Sequence, residues 1–378
     1  MAMLRVAFDP GSSLTKVVYS INCEQAKLLT MASEAVSVKD DLLQMKLSSR
    51  GNVGITNGIN SAYLKYLKRD SAVYVVGQLA NQFSAEVDLS QSKYELGIPK
   101  FLAAIGAILE QEGCILEEPI EVLPLALLPY GEFVNQQDFV SGLKDAGSRY
   151  YFRGQKICLS FPRMSVMPEG AGFFLQVESE KGEQWLMQRE AVCVLMLGHR
   201  NASFLTFRYG QLDQRQSGTS EWGFVRLVDR VVEYSSGQSR QRLTRDIYEL
   251  GDEISAGHPI IRSLTRTRED RNIKSEAEQI AEAISLGREE YWNSLKRWLN
   301  DVAPRRINSL IIAGGGAFYL RREISRHLGW ANLDWRIADS NNTLLKGHPD
   351  TSLQHRIGDV YSLFDAYFGS SIQAVNVA

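Results

Sequence analysis

The first residues that could do chemistry lie in FDPGSSLTKVV, a segment that begins at Phe8. Between two apolar runs it places an acid, a glycine, two hydroxyls and a cation: Asp9, Gly11, Ser12, Ser13 and Lys16. Turn residues of this kind join ordinary hairpins. The same residues can also hold an anion, because backbone N–H groups and a lysine supply positive charge. The segment alone leaves both interpretations open.

Three later segments carry further candidate groups. They are Met167-Pro168-Glu169-Gly170, Met196 to Asn201 (MLGHRN), and the glycine triplet Gly314-Gly315-Gly316. A carboxylate between proline and glycine, as at Glu169, is common in ordinary turns and is also a candidate catalytic group. The triplet is equally compatible with tight packing of a strand on a helix. A helix predicted at Arg321–Leu328 would place its N-terminal N–H groups near any bound anion.

Strands and helices must position these groups. Apolar runs predict strands at Leu4–Phe8, Lys16–Ile21, Ala72–Val76, Ile120–Leu128, Val192–Leu197 and Ser309–Ala313. A half-buried strand is predicted at Ser203–Tyr209, and a second hairpin from Tyr150–Phe152 and Lys156–Phe161. Apolar residues at helical spacing predict helices at Phe101–Glu112, Phe139–Lys144, Phe224–Glu233, Ser275–Val302 and Arg321–Leu328. We interpret the polar, Arg-rich stretch Ser235–Lys274 as a solvated or subunit-contacting face.

Length and composition bound the class of protein. A chain of 378 residues with 44% hydrophobic and 23% charged residues is expected to form two or more globular domains. Hairpin-rich α/β material occurs twice, which predicts duplicated α/β halves that face each other across a cleft. A net charge of -2 argues against nucleic-acid binding by the whole chain. Four scattered cysteines fit a reducing cytoplasm, and no apolar run is long enough to span a bilayer.

The order and context of these segments resemble the actin-like ATPase superfamily, and within it the bacterial ParM/StbA filament proteins. The similarity covers nearly the whole chain and is weakest between Ala32 and Tyr74 and in Ser235–Lys274. Four segments show the similarity: a first phosphate loop from Asp9 to Lys16, a glutamate segment, a glycine loop at Ile312–Ala317, and a closing segment at Gln354–Tyr361. The glutamate segment resembles the family's F-P-x-M-P-E. Here it is Phe161-Pro162 followed by Val166–Glu169, with three residues (RMS) between.

The resemblance implies an α/β, actin-like (ribonuclease-H-like) duplicated fold with two domains facing each other across a nucleotide cleft. Domain I would be residues 1–170, with about 351–378 packing back on it, and domain II residues 171–350 with an Arg-rich insertion at 235–274. The cofactors would be ATP or ADP and Mg²⁺; Asp9 would hold the metal through water, and Glu169 would polarise the attacking water. The implied nucleotide contacts are Asp9, Gly11, Ser12, Ser13, Lys16, Gly198, His199, Arg200, Asn201, Gly314, Gly315 and Gly316.

The second phosphate loop departs from the family's Asp-x-Gly-Gly/x-Thr-Thr pattern. Met196 stands where the family has the acid, Gly198 keeps the first glycine, and His199, Arg200 and Asn201 replace the second glycine and the hydroxyl pair. A methionine cannot orient a magnesium-bound water, whereas His199 or Arg200 could bring positive charge to phosphates. We therefore expect nucleotide binding to survive this departure and hydrolysis to be slow.

The resemblance also implies a function and partners. It predicts a protein that polymerises with ATP, contacts itself, and acts in plasmid segregation or as a cytoskeletal element. DNA or other cargo would be reached through a separate adaptor, without direct binding of nucleic acid. Two other classes stay open: a nucleotide-bound filament scaffold that has lost ATPase activity, which Met196 favours, and a metabolic kinase of the same fold. The kinase would need an intact second loop and a substrate-binding acid, and neither is evident.

Overall fold

The computed structural model describes residues 3–48, 58, 61–66, 72–83, 93–114, 119–235, 239–267, 269–338, 344–345 and 351–369. The chain separates into two compact units, here called unit 1 (Met1–Gly182 with Ala338–Ala378) and unit 2 (Glu183–Ile337). The domain boundaries expected at residues 170 and 351 remain predictions. Within the described ranges, no helix has the length and apolar composition needed to cross a membrane.

The strands of the described residues are β1 Met3–Asp9, β2 Thr15–Ile21, β3 Lys27–Met31, β4 Ala35–Lys39, β5 Ser61–Tyr66, β6 Ala72–Gly77, β7 Ile120–Leu128, β8 Tyr150–Phe152, β9 Gln155–Ile157, β10 Leu159–Ser160, β11 Ser165–Pro168, β12 Val192–Leu197, β13 Ala202–Arg208, β14 Gln211–Leu212, β15 Gly218–Ser220, β16 Ser309–Ala313 and β17 Leu333–Trp335. The α-helices there are α1 Asp40–Ser48, α2 Lys93–Gln111, α3 Tyr130–Phe133, α4 Gln136–Gly147, α5 Ala171–Lys181, α6 Glu183–Met187, α7 Val225–Tyr234, α8 Arg240–Leu250, α9 Pro259–Leu264, α10 Asp270–Val302, α11 Gly315–Tyr319, α12 Arg321–Leu328 and α13 Gly358–Phe364.

Each unit contains a sheet with the same central arrangement. In unit 1 the order is β10-β7-β1-β2-β3, with β11 also on β7; in unit 2 it is β14-β13-β12-β16-β17, with β15 also on β13. Strand β1 is antiparallel to β2 and parallel to β7, and β12 is likewise antiparallel to β13 and parallel to β16. This repeated pattern is the internal duplication that the sequence predicted. Unit 1 also contains a sheet of order β4-β6-β5-β8-β9.

Alternate residues of the unit 1 sheet enter two different cores. Val6 and Phe8 of β1 pack with Phe101 of α2, whereas Ala7 of β1 packs with Val360 of α13. Because both faces of the sheet are covered, most residues of strands β1 and β2 are buried. The core between β1, β2, β7 and α13 also places residues 353–364, which include the closing segment, against this sheet. Residues 370–378 lie outside the described part of the chain.

Most predicted elements are confirmed with small shifts of boundary. The strands predicted at Ile120–Leu128, Val192–Leu197 and Ser309–Ala313 have those bounds, as does the helix at Arg321–Leu328. The helix predicted from Phe101 instead begins at Lys93, because α2 continues through Pro99, a residue that usually begins or breaks a helix. Strand β13 is buried along nearly its whole length rather than half-buried.

Two predictions at the level of elements hold only in part. The hairpin predicted from Tyr150–Phe152 and Lys156–Phe161 forms between β8 and β9, but its second arm is divided, because β10 pairs with β7 of the other sheet. The stretch Ser235–Lys274 is also more than a solvated face: it contains α8 and α9 and the start of α10, and Leu243 and Ile247 lie in the core of unit 2. Arg268 and residues 236–238 of that stretch lie outside the described residues.

Candidate functional site

The β1–β2 hairpin of unit 1 brings Asp9 and Lys16 together. The strand register pairs Asp9 directly with Lys16, so their side chains leave the same face of neighbouring strands. The Lys16 ammonium forms an ion pair with Oδ2 of Asp9. Both residues are buried, with exposures of 8% and 3%. A buried ion pair needs further polar partners to offset the loss of water, and Lys16 Nζ also donates to the Arg356 carbonyl oxygen at 3.3 Å.

The segment from Asp9 to Lys16 also contains buried oxygens without a hydrogen-bond partner in the protein. Oδ1 of Asp9, Oγ of Ser12 and Oγ1 of Thr15 are buried and have no hydrogen-bond partner within the protein. Buried polar atoms in native proteins are nearly always satisfied, so such a group indicates a place where a ligand, an ion or water supplies the missing partners. Gly11 completes the loop, because a Cβ there would approach the Leu14 carbonyl oxygen to 2.5 Å.

Glu169 lies at the start of α5 in the same unit, with an exposure of 7%. Its backbone N–H donates to the Leu128 carbonyl oxygen of β7 at 2.8 Å. Gly170, which follows, is the N-cap of α5 and has a φ of 98°, a conformation that favours glycine. A glycine N-cap has no side chain with which to accept the first N–H groups of the helix. That function falls to another residue.

Asp359 of α13 provides the missing cap. Its Oδ2 accepts the N–H of Gly170 at 2.6 Å, and its Oδ1 accepts the N–H of Gly172 at 2.9 Å. Burial raises the pKa of the Asp359 carboxyl to about 7, helped by the negative charges of Asp9 and Glu169 and opposed by the two N–H donors. The structure therefore brings three carboxyl groups of unit 1 near one another, and the sequence had assigned no role to this one.

Arg356 is a second residue that sequence reasoning missed. Its Nη2 donates to Ser13 Oγ at 3.0 Å, and its carbonyl oxygen accepts from Lys16. The closing segment was predicted to pack on the first domain, but nothing in its local sequence indicated contact with the first loop. A signal of this kind comes only from the fold, because Ser13 and Arg356 are separated by 343 positions.

The predicted second loop of unit 2 joins β12 to β13. Its carbonyl oxygens accept backbone N–H groups at the start of α7: Gly198 O from Phe224 at 3.0 Å, His199 O from Val225 at 2.8 Å and Arg200 O from Gly223 at 3.1 Å. The loop is closed by the Gly198 N–H, which donates to the Asn201 carbonyl oxygen at 2.9 Å. This backbone is therefore fixed largely by contacts within unit 2. Met196, at the family's acid position, is 8% exposed and pairs across the sheet with Ser203.

The glycine triplet packs against the end of β12. Gly314 has a φ of 93°, and a Cβ there would overlap the Leu197 carbonyl oxygen. A Cβ at Gly316 would come within 2.8 Å of Leu197 Cγ. Gly315 differs, because its nearest neighbour is the Tyr248 ring at an ordinary 3.5 Å. Close strand-to-helix packing thus accounts for Gly314 and Gly316.

The sequence did not predict the helix that begins at the glycine triplet. The helix that begins at the triplet is the short α11, and Arg321–Leu328 follows it as α12. The N-terminal N–H groups of α12 are therefore separated from the triplet by a whole element. Gly315–Tyr319 is too short to show an apolar periodicity, and the placement of the α12 N–H groups near a bound anion stays a prediction.

The donor set in unit 1 fits a nucleotide with Mg²⁺. The described residues contain no cluster of three or more His, Cys, Asp or Glu side chains arranged to hold a metal by themselves. Mg²⁺ in phosphate sites is usually held by one or two carboxylates together with phosphate oxygens and water. The unpartnered oxygen of Asp9 is suited to that pattern, and the hydroxyl of Ser12 is suited to a phosphate oxygen.

Comparison with solved structures identifies the fold. A 15-stranded ParM filament from Clostridium botulinum is similar with a TM-score of 0.63 and 14% identity, over 98% of this chain and 100% of that one. An archaeal actin homolog has a TM-score of 0.59 and 14% identity, over 97% and 99% of the two chains. Bacillus thuringiensis ParM with ADP gives the same values. At this identity the likeness shows the fold: the chain has the actin-like fold that its motifs predicted.

Searches by sequence give no corresponding result. No family model matches the chain, and no curated protein matches it.

Proposed function

We propose that this chain binds ATP with Mg²⁺ and assembles with copies of itself into filaments. The observation that carries the proposal is the buried Asp9–Lys16 ion pair of unit 1, in a loop where Asp9 Oδ1 and Ser12 Oγ have no protein partner. The fold neighbours support it, since one is a ParM filament and another is a ParM with ADP.

Each group of the first loop has a task in this proposal. The Lys16 ammonium neutralises phosphate charge, and the Ser12 hydroxyl donates to a phosphate oxygen. Asp9 would hold Mg²⁺ through water, and the ion would neutralise charge at the phosphates. Gly11 and Ser13 complete this loop. In unit 2, we propose Gly198, His199, Arg200, Asn201, Gly314, Gly315 and Gly316 as further nucleotide contacts.

Hydrolysis is the second part of the proposal. Glu169 orients the attacking water, and turnover is slow because Met196 replaces the metal-side acid of the second loop. A nucleotide-bound filament scaffold without ATPase activity is the second candidate function, and the same methionine favours it. We further propose that the protein acts in the cytoplasm, in plasmid segregation or as a cytoskeletal element, with a separate adaptor linking it to DNA or other cargo.

Titration with a fluorescent ATP analogue tests the binding part. Lys16→Ala removes a charge-assisted contact worth roughly 1.5–3 kcal/mol, so the dissociation constant should rise about 10- to 150-fold. Lys156→Ala is the matched control, because that lysine is exposed on β9 of the same unit. Circular dichroism should show that both variants are folded. Equal affinities in the wild type and Lys16→Ala would remove Lys16 from the site.

Pelleting and negative-stain microscopy test assembly, with Mg²⁺ and either ATP, ADP or no nucleotide. ATP-dependent polymers are expected; protein that stays monomeric at tens of micromolar with ATP would contradict the filament proposal and leave the kinase class open. Phosphate release then separates the two filament candidates. Glu169→Ala should lower it without preventing binding or assembly, and its polymers should last longer, while Glu178→Ala on the same helix should match the wild type.

A further inference from the structure

The N-terminus of α5 is capped by a residue from a distant part of the chain. Gly170 and Gly172 donate their N–H groups to the two oxygens of Asp359, at 2.6 and 2.9 Å. The first N–H groups of a helix have no partner within the helix, and an acid there also interacts favourably with the helix dipole. Asp359 is 1% exposed, so water does not compete for these N–H groups.

This cap fixes the backbone on one side of Glu169, and β7 fixes the other. The Glu169 N–H donates to the Leu128 carbonyl oxygen at 2.8 Å, and the next N–H along the chain is held by Asp359. The direction in which the Glu169 side chain leaves the backbone is set by these two hydrogen bonds. Releasing either one would allow the peptide between Glu169 and Gly170 to rotate.

The packing around the cap leaves little room for adjustment. A Cβ at Gly172 would overlap the Asp359 carbonyl oxygen, and a Cβ at Gly358 would meet the Phe173 ring at 2.5 Å. Helices α5 and α13 therefore meet at their N-terminal ends in direct backbone contact. Three residues before Asp359, Arg356 contacts the first loop through Lys16 and Ser13.

We propose that Asp359 is a positioning residue, which holds Glu169 in the orientation needed for the hydrolysis proposed above. This inference rests on that proposed function. A positioning role predicts a specific kinetic result: the loss of Asp359 should lower kcat and leave the affinity for ATP nearly unchanged. General damage to unit 1 would instead weaken ATP binding.

Asp359→Ala and Asp359→Asn test the proposal, with Ser362→Ala as the matched control. Ser362 also joins α13 to α5, through a 3.1 Å hydrogen bond to Gln176, but away from the N-terminus of α5. Displacing a catalytic group by about 1 Å can cost about 100-fold in rate, so Asp359→Ala should lower kcat about 10- to 100-fold. Asp359→Asn keeps one accepting oxygen and should fall between Asp359→Ala and the wild type. Ser362→Ala should retain the wild-type kcat.

A second measurement does not depend on turnover. Hydrogen exchange in residues 169–177 should be faster in Asp359→Ala than in the wild type and unchanged in Ser362→Ala. If the wild type releases phosphate and both Asp359 variants have the same kcat as the wild type, the positioning role of Asp359 is overturned while the proposed hydrolysis stands. An equal loss of kcat in Ser362→Ala would also overturn it, in favour of general packing. A wild type that binds ATP and never releases phosphate would instead defeat the hydrolytic part of the proposed function, and this role with it.

Discussion

A rise in pH from about 5 to about 8 should destabilise the nucleotide-free protein through Asp359. Burial, together with the charges of Asp9 and Glu169, raises the pKa of this carboxyl from 3.8 to about 7 in the folded chain. Between these two values the folded state binds more protons than the unfolded state. The free energy of unfolding therefore falls as the pH rises through this window, and the contribution of protonated Asp359 is lost above pH 7.

The size of the effect follows from the pKa shift. Each pH unit between the unfolded and folded pKa changes stability by about 1.4 kcal/mol, and the interval from pH 5 to the folded pKa covers about two units. The wild type should therefore lose about 2–3 kcal/mol from this group. Asp359→Asn cannot titrate, so subtracting its stability removes the contribution of every other ionisable group that both proteins share.

Urea unfolding of the wild type and Asp359→Asn at four pH values, without nucleotide or Mg²⁺, measures this difference. The stability of the wild type relative to the variant should decline steadily between pH 5 and 7 and level off above. Two parallel curves would mean that Asp359 does not titrate in this range. A relative stability that rises with pH would show that the Gly170 and Gly172 N–H groups hold the carboxylate ionised, which would refute the reasoning.

Three further predictions concern the same units. Lys16→Gln leaves Asp9 buried without its counter-charge and should cost about 3–5 kcal/mol in denaturant unfolding. Adding Asp9→Asn should recover most of that loss, and purely additive effects would contradict the pairing. Gly172→Ala forces a Cβ into the Asp359 carbonyl oxygen and should cost about 1–3 kcal/mol, whereas Gly257→Ala, with nothing within 4 Å, should stay within about 0.5 kcal/mol of the wild type. Met196→Asp should raise phosphate release, and an unchanged rate would show that the missing acid does not limit hydrolysis.

The sequence predicted well the strands and helices whose apolar residues follow a clear local pattern. Strands β12 and β16 are buried at every position, and β7 is buried from Pro124 to Leu128, so apolar residues dominate all three. Helix α10 is long enough for its apolar face to repeat many times, and Ile284 and Leu295 on that face are fully buried. Long, strongly periodic patterns are the ones that a single sequence specifies best.

Prediction from the sequence was least accurate where only a few apolar residues mark the buried face of an element. Helix α8 buries Leu243, Ile247 and Leu250 at helical spacing, but the residues between them are mostly charged or polar. The arginines of this helix are also partly structural, since Arg242 and Arg245 contact the buried Asp246 at 3.3 and 3.0 Å. Charge density alone therefore suggested a solvated face, although the packing of three apolar side chains decides the structure.

In the candidate site, too, some contacts could be predicted from local sequence and others could not. The pairing of Asp9 with Lys16 follows from the hairpin, because the two residues flank one short turn. Asp359 carries no local signal: its role depends on α13 meeting α5, which are joined by hydrogen bonds across 187 and 189 positions. Only the tertiary fold brings that carboxylate to the helix end that Gly170 cannot cap itself.

The predicted first and second phosphate loops differ in how their own units hold them. In unit 1, Asp9 keeps an oxygen without a protein partner at the end of β1. In unit 2, the loop carbonyls are taken by the start of α7, and a buried Met196 stands at the acid position. Phosphoryl transfer is accelerated by charges and water already held in place, so with the second acid missing the placement of water carries more of the rate. Turnover should therefore depend more steeply on Asp359 than on His199. Asp359→Ala and His199→Ala in one phosphate-release assay decide this, and a larger loss in His199→Ala would mean that the second loop, despite its methionine, still governs hydrolysis.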